Sequence, residues 1–167
     1  MTSENAGSGL THVDSAGHAR MVDVSGKDVT ARSACATGRV RLSARAVAAL
    51  RAREVPKGDA LAVARIAGIA GAKRTPDLIP LCHQLTIGSV YVNFTIEDSY
   101  VEVEAQVETV DRTGVEMEAM TACAVAALTI YDMCKSVDRS MMIGELTLWE
   151  KTGGRSGTYR RRAAEGL

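Results

Sequence analysis

The stretch TGVEMEAMTACAVAALTIYDMCK, residues 113–135, decides how the rest of the chain must fold. A turn and two acids, Glu116 and Glu118, open it; an acid and a lysine, Asp132 and Lys135, close it. Between Ala119 and Tyr131 there is no charge, and Ala119, Ala122, Ala124, Ala126 and Ala127 give helix propensity without bulk, so another backbone can approach closely. The stretch reads as one helix buried in a core or an interface. It is shorter than the roughly 20 apolar residues that a membrane span needs.

The geometry of such a helix constrains any site built on it. At roughly 100° per residue, Asp132 and Lys135 lie on one face, about 60° apart, and can act as a paired acid and base. Glu118 is nearly in phase with Asp132, yet 14 residues at about 1.5 Å each hold the two roughly 21 Å apart. One small-molecule pocket cannot contain both ends. Either the chain carries two sites, or one site is assembled from two copies, each giving a different end, and the protein is an obligate oligomer.

Working outward, VYVNFTIE (90–97) and YVEVEAQVETV (100–110) alternate around the tight Asp98-Ser99 connection and read as a hairpin. Val101, Val103, Ala105 and Val107 share one face; Glu102, Glu104, Gln106 and Glu108 share the other. On the far side of the helix, SMMIGELTLWEKTGG gives a last strand and a Gly-rich segment with Lys151 and Arg155. Upstream, ATGRVRL (36–42) is a short strand, Ser43 caps an Ala-rich helix to about Arg53, and Asp59 caps the next. The turn between them aims Lys57 outward. Gly68 and Gly71 lie inside a helical pattern rather than after a strand, so close helix packing explains them better than a nucleotide loop. Then PDLIPLCHQLTIG is an apolar loop that sets Cys82 beside His83. Lys27 and Arg32 stand on what reads as a loop, either as solvated charge or as a phosphate contact reached from a flexible arm. The order strand, broken helix, strand, strand, helix, strand is the split βαββαβ pattern of an α+β, ferredoxin-like sandwich, with an antiparallel sheet and helices on one face.

The chain has 167 residues, 46% of them hydrophobic, which suits a single domain at 20–159 between a polar N-terminal tail (1–19, with His12 and His18) and a polar C-terminal tail (160–167). With 20 basic and 20 acidic residues, a global nucleic-acid surface is excluded. Cys35, Cys82, Cys123 and Cys134 form no CxxC pair and no metal-finger spacing, which points to reduced core thiols in the cytoplasm. No leader pattern is expected, and no membrane association.

The ionisable groups away from plainly solvated faces are Lys57, Lys73, Arg74, His83, Glu116, Glu118, Asp132 and Lys135. Lysines and an arginine beside acids and a histidine suit an anionic, phosphorylated small molecule whose protons must be moved. Each also has a plain structural account: a solvated turn lysine, acids favoured at a helix start, an i,i+3 ion pair, a hydrogen-bonded loop histidine. There is no HExxH, so no dedicated metal site is expected, although Mg²⁺ carried by a polyphosphate would need few protein ligands.

The segments LTHVD, ARMVDVSGK, KGD, ARIAGIAGAKRT, DLIPLCH, TGVEMEA and AALTIYDMCK together closely resemble the cyclic pyranopterin monophosphate synthase family, the C proteins of molybdenum-cofactor biosynthesis. The resemblance spans about Leu10 to Tyr159. It implies a ferredoxin-like lyase that converts 3′,8-cyclo-7,8-dihydro-GTP to cyclic pyranopterin monophosphate and pyrophosphate, as a homohexameric trimer of dimers with sites at the dimer interface. It further implies catalytic roles for Asp132, Lys135 and Lys57, and substrate contacts from Leu81, Cys82, His83, Glu116, Met117 and Glu118. Lys27, Lys73, Arg74 and Lys151 match basic positions that would hold the triphosphate. No resident cofactor is implied, only Mg²⁺ accompanying the triphosphate or pyrophosphate, and there is room for transient contact with the upstream radical enzyme. The rival reading from the residues is a non-catalytic module that binds a small effector at a dimer interface.

Overall fold

Alternation of small apolar and polar residues, carried mainly by alanine and valine, builds the centre of the sheet. In the computed structural model, which describes residues 16–162, β1 (Thr30–Arg41) buries Ala34, Ala36 and Val40 while Cys35, Thr37 and Arg39 stay partly exposed. This strand starts six residues before the expected 36, and Arg32 lies in it rather than in a loop. The reason is tertiary: residues 30–35 are too small to give a strong strand signal but pair along β3, from Thr30 opposite Asp111 to Cys35 opposite Gln106.

The first two helices begin where the chain offers side-chain acceptors, whereas the long helix that starts after Val115 has no side-chain cap. Ser43 accepts from the Ala46 N–H at 3.4 Å to open α1 (Ala44–Ala52), and Asp59 accepts from the Ala62 N–H at 3.0 Å to open α2 (Ala60–Ala72). Pro76 lies in the first turn of the short α3 (Thr75–Leu78). The hairpin follows as β2 (Ile87–Ile96) and β3 (Tyr100–Asp111), then α4 (Glu116–Cys134) and β4 (Met142–Thr152). A two-residue strand, β5 (Tyr159–Arg160), pairs with Glu150 and Lys151. It enters the segment read as C-terminal tail, held by Arg160 on Glu150 at 2.7 Å and by the Arg161 N–H on the Trp149 carbonyl at 2.7 Å. Up to residue 15, the N-terminal tail falls outside the described residues, as does His12.

The sheet order is β2-β3-β1-β4-β5, antiparallel throughout, so the first four strands have the expected ferredoxin-like arrangement. Val92, Val101, Val103 and Val107 point into the core beneath the helices, while Glu102 and Arg39 meet at 3.0 Å on the opposite face. By length and composition alone α4, at 19 residues and hydropathy 1.2, could cross a membrane; with 56% of that window buried inside the protein, it is the core helix instead. Burial pushes the Cys123 thiol up to about 12 and Cys134 up to about 11, which leaves both as inert packing groups.

The α2–α4 seam is where backbone approach matters. A Cβ at Gly68 would stand 2.9 Å from the Ala122 carbonyl oxygen and 3.2 Å from the Ala126 Cβ, and one at Gly71 would stand 2.9 Å from a Val125 methyl. Gly68→Ala gains about 1 kcal/mol in helix propensity. Overpacking against a backbone atom costs about 1–3 kcal/mol, so a net loss is expected. Urea unfolding should show a lower midpoint for Gly68→Ala; an equal or higher midpoint would mean that the helices are not in backbone contact there.

Candidate active site

At the C-terminal end of α4, three side chains expected from sequence come together. The turn Val55–Gly58, closed by the Gly58 N–H on the Val55 carbonyl at 2.9 Å, presents Lys57 to the end of the helix. Lys57 Nζ and Lys135 Nζ each donate to Asp132, to Oδ2 and Oδ1 respectively, both at 2.7 Å. The Lys135 contact first, then Lys57, holds the Asp132 carboxyl down at about 2. Asp132 and its partners are about half exposed, so these pairs add little to stability. They fix a cluster of one negative and two positive charges facing solvent. Asp138 anchors the turn behind it, accepting from the Ser43 N–H at 2.7 Å, the Ser140 N–H at 2.8 Å and the Ser140 hydroxyl at 2.6 Å.

At the N-terminal end of α4 lies a cavity of about 440 Å³, lined by Leu81, Cys82, His83, Glu116, Met117 and Glu118, with Val22, Val24, Lys27, Leu85, Thr113 and Gly114. His83 Nε2–H donates to the Val22 carbonyl at 2.6 Å; a carbonyl can only accept, so the proton sits on Nε2 and Nδ1 is the ring's other position. Glu118 is 3% exposed. Burial pushes its carboxyl up to about 7, and the Glu116 charge adds to that. A carboxyl poised there can give or take a proton near neutral pH. Cys82 is raised by burial, with Glu118 adding, so it is a neutral thiol.

A second cavity, about 550 Å³, adjoins the first across shared walls, Lys27, Thr113, Gly114 and Glu116, and the two together are termed the trough. Its other walls are cationic, with Arg32, Lys151 and Arg155 beside Asp28 and the loop at residues 152–156. That loop closes on β1 through Gly153 (φ +86), where a Cβ would stand 2.3 Å from the Ala31 carbonyl oxygen, so only glycine allows the approach. Lys151 Nζ meets the Ser156 hydroxyl.

Lys27 therefore stands where the cavity that holds His83 and Glu118 meets the cationic one, with Lys151 on the cationic side. Lys73 and Arg74 are exposed just past α2 and line neither cavity. The sequence reading missed Val22, Val24 and Thr113 as wall residues, and it placed Arg32, weighed there as a phosphate contact, in a loop instead of β1. Alternation through Arg32, Ala34 and Ala36 was the one signal that could have placed Arg32 on a strand. Among the described residues, no group of three or more His, Cys, Asp or Glu is gathered for a metal.

The elevated Glu118 carboxyl has a consequence for stability. The unfolded chain loses this proton near pH 4.5, the folded protein near 7, so folding becomes less favourable as pH rises across that window, by at most about 4 kcal/mol. Glu118→Gln cannot titrate and should lack that decline. Urea unfolding at pH 4.5 and pH 8 checks it: parallel behaviour of the two proteins would show that the carboxyl is ionised in the fold.

Residues 21–154 match the model of the MoaC family. The chain is 62% identical over 152 residues to a cyclic pyranopterin monophosphate synthase of Streptomyces avermitilis, covering 91% of this chain and 89% of that protein. It is 61% identical over 157 residues to that of Streptomyces griseus, with 94% and 89% covered, and 57% identical over 154 residues to that of Roseiflexus sp., with 91% and 98% covered. With the family match running from residue 21, before β1, to the glycine loop after β4, the chain belongs to the MoaC family.

Proposed function

We propose that this protein is an enzyme of molybdenum-cofactor biosynthesis that converts 3′,8-cyclo-7,8-dihydro-GTP to cyclic pyranopterin monophosphate with release of pyrophosphate, a phosphorus–oxygen lyase reaction. The observation that carries this reading is the pair of adjoining cavities that make up the trough, one suited to a purine-derived ring and the other lined by cations suited to a triphosphate. Lys27, Lys151 and the neighbouring Arg155 would bind the phosphates and stabilise charge on departing pyrophosphate. Leu81, Cys82, His83 and Met117 would hold the ring, and Glu118, near its own pKa, would exchange a proton with it. Mg²⁺ would enter with the triphosphate. Four free cysteines suit a reducing cytoplasm.

Lys57, Asp132 and Lys135 supply the remaining proton transfers that open the purine-derived ring and rebuild the pterin. Asp132 takes a hydrogen bond from each lysine and so orients both ammonium groups. Because this cluster lies about 21 Å along α4 from Glu118, it acts in the trough of a second copy. One side of α4 supports such a contact: Met117, Ala124, Leu128, Tyr131 and Lys135 follow helical spacing, and Leu128 is 60% exposed although apolar. Residue 125 is midway between Glu118 and Asp132. A two-fold axis crossing the helix near that point sets each copy's acid end beside the other's lysine end. Trimerisation of such dimers gives the hexamer, into which Lys73 and Arg74 would also project.

Incubating the protein with the cyclised dihydro-GTP intermediate and assaying pyrophosphate together with product mass tests the activity. Wild type is expected to yield both, and Lys135→Ala to be at least about 100-fold slower. Co-expressing Lys135→Ala with Glu118→Gln tests the shared site. Random pairing leaves one intact site in half of the dimers, so activity should recover to about one quarter of wild type. Mixed dimers with no recovery would place both groups in one chain's site.

A further inference from the structure

The N-terminal arm, residues 21–28, has no helix or strand of its own, yet it walls the trough and brings Lys27 to the junction of its two cavities. Two hydrogen bonds shape it from within, the Lys27 N–H on the Val24 carbonyl at 3.0 Å and the Ser25 N–H on Asp23 Oδ1 at 2.8 Å. Neither ties it to the body of the protein. Among the described residues, two side chains do. His83 holds the Val22 carbonyl, and Arg112 Nη1 donates to the carbonyl of Ser25 at 2.8 Å and to that of Lys27.

Arg112 is itself fixed at a hub. Its N–H donates to Asp111 Oδ1 at 2.7 Å, and its carbonyl accepts from Arg32 Nη2 at 3.0 Å. Arg32 Nε holds the Asp111 carbonyl at 2.9 Å, and Asp111 Oδ2 accepts from the Thr86 N–H at 3.1 Å. The end of β3, the start of β1 and the loop before β2 are thereby locked together. From that hub one guanidinium reaches the arm, while lining neither cavity.

We infer that Arg112 is a positioning residue: by holding the Ser25 and Lys27 carbonyls, it fixes the Lys27 ammonium at the cavity junction and so sets affinity for the polyphosphate end of the substrate, which Arg112 does not touch. The inference rests on the proposed synthase reading. Without the tether, the arm must be ordered during binding, at a cost of about 1 kcal/mol or more per residue fixed. The groups proposed to move protons are untouched. The loss therefore falls on binding rather than on turnover.

Steady-state kinetics with the cyclised dihydro-GTP intermediate, calorimetric titration with inorganic pyrophosphate, and hydrogen exchange test this on the full-length protein. Arg112→Met should raise KM and the pyrophosphate Kd about tenfold, as loss of a supporting partner does, with kcat within about twofold. Exchange should quicken at residues 21–28 and stay slow in α4. In a Lys27→Ala background the same change should add less than about twofold, because its route of action is already gone. Arg112→Lys keeps the charge but loses the fork, so it should fall between wild type and Arg112→Met; it also replaces Arg112→Met should that variant fail to fold. An unchanged KM and pyrophosphate Kd, a fall confined to kcat, or a full multiplicative effect on top of Lys27→Ala would overturn the inference. So would a wild-type protein that does not bind pyrophosphate. If wild type binds pyrophosphate but does not turn over the intermediate, and Arg112→Met weakens that binding, the synthase reading falls and the tether stands.

Discussion

A helix cannot be shortened. The rise of about 1.5 Å per residue keeps the two charged ends of α4 apart whatever else the chain does, and the remainder of the architecture is arranged around that separation. The loop after α3 and the N-terminal arm gather at one end, the turn carrying Lys57 at the other. Between them the helix needs only to be straight and closely packed. Small residues meet that need: alanines, Cys123 and two facing glycines, with Ile130 the largest fully buried side chain of the helix.

The two ends obey opposite electrostatics. Glu118 is buried, and desolvation makes its carboxyl reluctant to ionise; Asp132 is in water, and two ammonium groups make its carboxylate reluctant to protonate. Neither arrangement helps the fold. A buried acid penalises it, and half-exposed ion pairs are nearly neutral toward it. That neither stabilises the fold is itself informative, since groups that do not hold the protein together are free to be tuned for another purpose.

What the sequence made legible were signals confined to one short segment. The uncharged run in α4, the alternating hairpin, the caps at Ser43 and Asp59 and the glycines at 68 and 71 each declare themselves within a few residues, and the structure follows them. The meeting of Lys57 with Asp132 and Lys135 was legible by resemblance, not by spacing. The early part of β1 was hidden because Ala, Ser and Cys carry little strand preference and take their conformation from β3 and β4. β5 was hidden for a similar reason, being two residues long and fixed by distant partners. The trough was least legible of all. Its walls come from separate segments, and the bonds that set the arm end on backbone carbonyls, which every residue possesses and no sequence motif announces.

The glycine seam between α2 and α4 has a mechanical side as well. Gly68 and Gly71 lie against the middle of α4, at Ala122, Val125 and Ala126, almost midway between its two charged ends. The helix is also buried along its length, at Ala119, Cys123, Ile130 and Met133, so bulk added at the seam would have to displace the whole rod and not one turn of it. Drift at the seam during evolution is therefore coupled across the whole rod, and residues 68, 71, 122, 125 and 126 should change in concert or not at all.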